Sequence, residues 1–251
     1  MNQAISVAIN NLSLTYQGAH KATLSNLSLN LTAGKWSCLL GPSGCGKTSL
    51  LRLIAGLIDS KHHISGTITG SDQRPVSEHI AYMAQQDLLL PWLNIVDNIC
   101  IKSRLTHGKV SSFEKQKALQ LLAQLGLTNI ADSKPEQLSG GMRQRVALAR
   151  ILMQETPIVL MDEPFSALDA VNRYKLQNLA AQVLKDRTVL LITHDPQEAL
   201  RLSDQLFLFN AQNQLTLLNV PNSNPPRAVD ATLGEYQQQV LSQMQVQHDK
   251  L

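Results

Sequence analysis

The segment Gly41-Pro42-Ser43-Gly44-Cys45-Gly46-Lys47-Thr48-Ser49 sets three glycines ahead of a lysine and two hydroxyl residues. Glycines at this spacing let consecutive backbone N–H groups turn inward around an anion, and a helix starting at the lysine adds its positive end. The spacing is that of a phosphate-binding loop, so Lys47 is expected to reach the β- and γ-phosphates of a nucleotide and Thr48 to offer its hydroxyl to Mg2+. Further along, Ile158-Val159-Leu160-Met161 ends in Asp162-Glu163. An apolar strand ending in two acids delivers them to the edge of a sheet where α/β proteins bind ligands. Asp162 is then the Mg2+ partner. Glu163, pointing to the other side of the strand end, is the general base for an attacking water. A third element, Ser139-Gly140-Gly141, combines a residue able to cap a helix beginning near Gly141 with glycines that let an anion approach the helix end.

These residues need a scaffold of strands and helices, and the hydropathy pattern supplies one. Residues 5–16 and 27–31 alternate apolar and polar, as in strands of a small antiparallel sheet. Trp36 to Leu40 is a short apolar run before the glycine loop, and Ser49 to Leu57 has the leucine density of a buried helix, giving strand, loop, helix. Ile158 to Met161 and Thr188 to Thr193 are continuous apolar or β-branched runs, the pattern of parallel strands covered on both faces, and Val171 to Lys185 between them is helical in period. The stretch 87–137 instead carries helical segments around 94–105 and 112–125. The expected architecture is α/β: a phosphate-loop (P-loop) NTPase core with a parallel sheet, a small antiparallel β subdomain and an inserted α-helical lobe. The whole chain, 1–251, forms one domain, with core 1–86 and 146–220, lobe about 87–145 and tail about 221–251. The tail turns polar, passes Pro221 to Pro226 and ends in a Gln-rich amphipathic helix.

Composition narrows the partners. Aromatics are only 4% of a chain that is 43% hydrophobic, so aliphatic side chains must fill the core. The net charge of +3 is modest and the basic residues are scattered, which argues against nucleic acid. Cys38, Cys45 and Cys100 lack metal-ligand spacing and fit free thiols in a reducing compartment. No stretch reaches the ~18 apolar residues of a membrane span.

With Leu138-Ser139-Gly140-Gly141-Met142-Arg143-Gln144-Arg145 behind the phosphate loop and before the two acids, the chain resembles the ATP-binding cassette ATPases over nearly its whole length. The resemblance implies further roles. Tyr16 stacks on adenine, and Gln85 bridges the lobe to Mg2+ and water, with Gln86 leaving that register open by one residue. Ser166-Ala167-Leu168-Asp169 matches the loop after the second carboxylate, and His194, in Thr193-His194-Asp195, matches the switch histidine that contacts the γ-phosphate. Met142 departs from the glutamine common at its position. The family implies ATP and Mg2+ as cofactors. It also implies a second copy of the cassette, so that two chains sandwich two ATP molecules head to tail.

Leu88-Leu89-Leu90-Pro91-Trp92 after the glutamine looks like importer cassettes of the nitrate, sulfonate and taurine group, which includes uptake systems for hydroxymethylpyrimidine precursors of thiamine. In that group this region contacts a transmembrane permease, so exposed Leu89 and Trp92 would suit docking, while packing inside the lobe is the alternative for Trp92. A periplasmic solute-binding protein would accompany the permease, and the cassette would sit peripherally on the cytoplasmic face of the inner membrane. An exporter or lipid-handling cassette is the nearest rival. A soluble cassette outside transport is a more distant one, because such proteins carry two cassettes or a long coiled-coil insertion.

Overall fold

The computed structural model describes residues 4–210 and 214–248; Met1–Gln3, 211–213 and the last three residues of the tail, which the sequence reading included, lie outside it. In chain order the elements are β1 (Val7–Thr15), β2 (Leu24–Leu31), β3 (Trp36–Leu40), α1 (Lys47–Ile54), β4 (His63–Gly70), β5 (Ile80–Met83), α2 (Ile95–Ile99), α3 (Ile101–His107) and α4 (Ser112–Gln124). They continue with α5 (Gly140–Met153), β6 (Ile158–Asp162), α6 (Ala170–Val183), β7 (Thr188–Thr193), α7 (Pro196–Leu202), β8 (Gln205–Phe209), β9 (Leu215–Leu218) and α8 (Ala231–His248). The expected α/β class holds, with a parallel sheet, an antiparallel sheet and helices.

By internal contacts the chain divides into two units, one of residues 1–80, 157–163 and 185–251, the other of 81–156 and 164–184. The first contains both sheets. Strands β2, β1 and β4 form the antiparallel one in the order β2-β1-β4. The alternation of β1 shows in its burial, with Val7, Ile9, Leu12 and Leu14 at most 1% exposed and a register shift between Ile9 and Leu12 breaking the period of two. The second sheet runs β6-β7-β3-β8-β9 within this unit, parallel except for β9. Every residue of β3, β6 and β7 is buried, which is why these strands read as unbroken apolar runs. Shortening one core side chain, as in Leu39→Ala, would cost ~2–5 kcal/mol.

Register decides what these strands deliver. Leu40 pairs with Thr193 and Asp162 with Ile192, so β3, β6 and β7 end level at one edge. The phosphate loop, Glu163 and His194 follow those three strand ends directly.

The second unit contains the helices α2 to α6, and the starts of α2, α4, α5 and α6 are capped by side chains. Asn94 accepts from Asp97 N at 2.7 Å, and Ser139 accepts from Met142 N at 3.3 Å, so α5 begins where the Ser-Gly-Gly spacing put it. Ser111 and Glu114 form a reciprocal capping box on α4. The single helical segment expected around 94–105 is two helices, with Cys100 closing one and opening the next. Among the described residues no helix is long and apolar enough to cross a membrane.

Candidate functional site

The phosphate loop owes its shape to two glycines with no room for a side chain. A Cβ on Gly41 would stand 2.4 Å from the Phe209 carbonyl oxygen, and one on Gly46 would stand 2.9 Å from that of Thr23, with Gly46 also at φ +100°. Alanine at either position would have to displace backbone. Gly46 is the N-cap of α1 and no side chain caps this helix, so its first N–H groups face the loop. Lys47 is 7% exposed, and its ammonium donates to the carbonyls of Gly41 at 2.8 Å and Pro42 at 2.6 Å. The loop therefore wraps its own lysine, and the charge is set where phosphate oxygens would replace those carbonyls. Cys45 Sγ lies 3.8 Å from the same ammonium, and burial raises its thiol pKa. Tyr16 donates its hydroxyl to Ser49 Oγ at 3.0 Å and sets its ring edgewise on His62, which anchors the expected adenine-stacking residue to the helix behind the loop.

Asp162 and Glu163 have different surroundings despite being neighbours. Asp162 is 2% exposed, and burial raises its pKa against the lowering effect of a hydrogen bond from the Thr48 hydroxyl. Its Oδ2 is buried without a hydrogen-bond partner. A desolvated carboxylate oxygen beside a hydroxyl is a hard, oxygen-only donor set, which suits Mg2+. Among the described residues no three or more His, Cys, Asp or Glu side chains are arranged so that they could hold a metal ion by themselves. One carboxylate, one hydroxyl and nucleotide phosphates together would supply the oxygen ligands that Mg2+ takes. Glu163 takes a left-handed backbone, φ 49°, while its N–H donates to Ile192 O at 2.9 Å. A glutamate at positive φ is strained by about 1 kcal/mol or more, and such strain collects where a side chain must be re-aimed. Glu163 Oε2 lies 3.1 Å from His194 Nδ1, and the His194 side chain is 61% exposed.

The first unit thus brings Tyr16, the loop residues Gly41 to Ser49, Asp162, Glu163 and His194 into one set. Gln85, Ser139, Gly140 and Gly141 belong to the second unit. There Ser139 caps α5, and a Cβ on Gly141 would press Leu168 at 3.0 Å. Asp169, from the loop after the acids, caps α6 by accepting from Asn172 N at 3.1 Å.

The sequence profile of the family described as ABC transporter matches residues 24–166, more than half of the 251. The chain belongs to the ABC transporter family. It is an ATP-binding, ATP-hydrolysing cassette of that family, as Lys47, Asp162, Glu163 and His194 lead one to expect. An uncharacterized ABC transporter ATP-binding protein of Haemophilus influenzae is 43% identical over 95% of this chain and 98% of its own length. An aliphatic sulfonates import ATP-binding protein, SsuB 1, of Rhodococcus jostii is 40% identical over 87% of this chain and 85% of its own. Among solved structures, a dimeric post-hydrolysis cassette bound to ADP and Pi superposes with TM-score 0.73 at 28% identity, covering 88% of this chain and 99% of that one.

In this cassette the segment after Gln85 corrects one expectation. Leu89 is buried, 8% exposed, and it is Leu88 and Trp92 that stand out at 56% and 68%. Leu88 adopts φ 46°, which reverses the chain so that residue 88 faces out and 89 in. Packing inside the lobe is excluded for the Trp92 side chain.

Three residues that the motif reading left without a role hold this segment. Asn98, fully buried, accepts from Leu90 N at 2.7 Å and donates to the carbonyls of Leu90, Leu93 and Asn94. Arg143 binds Asp87 Oδ2 at 3.0 Å, and Arg150 donates to the carbonyls of Asp87 and Leu88 at 2.6 and 2.8 Å. The two arginines are seven apart on α5, hence on one helix face, and that spacing was the available signal.

Proposed function

We propose that this cassette powers uptake of a small solute through a separate membrane permease, with Mg2+-ATP as fuel and a second copy of the chain completing each nucleotide site. The observation that carries the hydrolytic part is the His194–Glu163 contact of 3.1 Å at the sheet edge that also presents the phosphate loop and Asp162. In this reading the α1 N–H groups and Lys47 bind the phosphates, and Glu163 accepts the proton of the attacking water. His194 orients that carboxylate at the γ-phosphate. Asp162 and Thr48 would hold Mg2+, which when bound neutralises phosphate charge. Gln85 keeps its assignment to metal and water, and Ser139 to Gly141 face the γ-phosphate held by the second copy.

Import is supported by relatives at 36–40% identity named as aliphatic sulfonates import ATP-binding proteins, and pairing by solved neighbours that are cassette dimers. The permease would dock on the exposed Leu88 and Trp92, placing the chain peripherally on the cytoplasmic face of the membrane, and a periplasmic solute-binding protein would deliver cargo. The test is reconstitution with the permease in vesicles, following labelled sulfonates and pyrimidine precursors. ATP-driven accumulation on the side that holds the cassette supports the reading; ATP-driven loss from that side would replace import with export.

A further inference from the structure

Helix α7 begins two residues after His194 and is seven residues long, too short to persist on local hydrogen bonds alone. Its N-terminus is held by Asp195, whose carboxylate accepts from Gln197 N at 2.9 Å and Glu198 N at 3.3 Å. Its C-terminus is held by a residue from far along the chain. Arg227, 5% exposed, donates through Nη1 to the carbonyls of Leu200 at 2.5 Å and Ser203 at 2.7 Å, while its backbone N–H donates to Arg201 O at 2.9 Å. Those are the carbonyls a helix end leaves without partners, and a cation there also opposes the negative end of the helix dipole. The rest of the guanidinium, Nε and Nη2, grips Pro221 O at 3.2 and 2.9 Å, closing the loop 221–227 on itself. Beyond it α8 packs against α7, with Leu233 and Val240 each 2% exposed.

We propose that Arg227 is a positioning residue for hydrolysis: by gripping the C-terminal carbonyls of α7 it fixes the orientation of the helix that starts beside His194, and so the approach of His194 to Glu163. A seven-residue helix is a rod of ~10 Å. Rotation permitted at one end of so short a rod appears at the other, where the ring must stay within hydrogen-bond reach of the carboxylate. The tail thereby acts on the chemistry without touching nucleotide. The inference rests on His194 and Glu163 being the hydrolytic pair.

The experiment measures steady-state ATP hydrolysis and equilibrium ATP binding of the full chain carrying Arg227→Met, which keeps the stem and removes the donors, beside His194→Ala. Misplacing a catalytic group by about 1 Å can cost ~10²-fold, so Arg227→Met is expected to lower kcat by roughly tenfold or more with KM and ATP affinity within about twofold. A lowered melting temperature with unchanged kcat would make Arg227 a structural clamp only and overturn the proposal. Unchanged turnover in His194→Ala would instead sink the hydrolytic pair beneath it. Should Arg227→Met not fold, Arg227→Lys takes its place, since it keeps the charge and the stem but lacks the planar fork that reaches the carbonyls of Leu200, Ser203 and Pro221 together; unchanged kcat in that variant overturns the proposal equally.

Discussion

His194 Nδ1 stands 3.1 Å from Glu163 Oε2, joining residues that leave the sheet from two neighbouring strands, β7 and β6. The contact is made at the end of a strand pair whose register is fixed by buried ladders, so it is pre-formed. If Glu163 is the general base, as proposed, a carboxylate held this way need not reorganise when the nucleotide arrives, which is the condition for general-base catalysis to give its full effect.

Glu163→Gln is therefore expected to keep ATP binding while losing ~10²–10⁴-fold in turnover, the usual worth of general-base assistance. The amide retains an acceptor for His194 but cannot take a proton. Slowed hydrolysis should let an ATP-bound dimer accumulate, visible by size-exclusion chromatography with ATP present. Wild-type turnover in the variant would remove Glu163 from the chemistry.

Cys45 offers a chemical test of the loop. Cys38 and Cys100 are buried, so maleimide should find Cys45 alone in the native chain. Burial raises the Cys45 thiol pKa, so labelling should be slower than at a free cysteine and should quicken as pH rises, because the thiolate is the nucleophile. ATP should protect it, since the label would occupy the space of the phosphates. Complete alkylation, seen by mass spectrometry, with ATP binding unchanged would place the nucleotide elsewhere.

The second unit has its own pH signature in Glu114. Hydrogen bonds from Ser103 first, then from the Ser111 backbone and side chain, lower its pKa from 4.5 to about 2. A lowered carboxylate pKa stabilises the fold at pH above the unfolded value, and that contribution fades as pH falls through the folded one. Glu114→Gln should accordingly lower the melting temperature most above pH about 4.5, with the gap to wild type closing towards pH about 2. A gap of constant size across that range would mean that the capping box does not depend on the charge.

The placement of Lys47, Asp162, Glu163 and Ser139 at the ends of a helix or strand was legible in the sequence because it is local: each sits in a short segment that abuts an element with clear periodicity. The grip of Arg227 on Leu200 and Ser203 was not legible. It depends on where the chain returns more than twenty residues later, and an arginine in a Pro-rich polar stretch looks like a solvated one. Leu88 and Leu89 exchanged places for a different reason. One residue at positive φ inverts which neighbour faces out, and hydropathy carries no trace of that in a run of three leucines.

Trp92 carries the coupling prediction. The residue is 68% exposed, whereas its carbonyl accepts from Lys134 Nζ at 2.6 Å and the neighbouring backbone is pinned by Asn98. The loop is thus held by main-chain contacts that survive truncation of the indole, and an exposed ring leaves no cavity when removed. Trp92→Ala should melt within a degree or two of wild type and bind ATP normally, since surface changes are usually within about 0.5 kcal/mol. Exposed aromatics at a docking surface, by contrast, can carry ~2 kcal/mol or more of binding energy each. Co-purification with the permease should then fall sharply and uptake be lost. Arg150→Met provides the comparison, because it frees the carbonyls of Asp87 and Leu88 from α5 and leaves the ring in place. That variant should still assemble yet couple poorly, hydrolysing ATP without accumulating solute. If Trp92→Ala assembles and transports as wild type does, the docking surface lies elsewhere on the cassette.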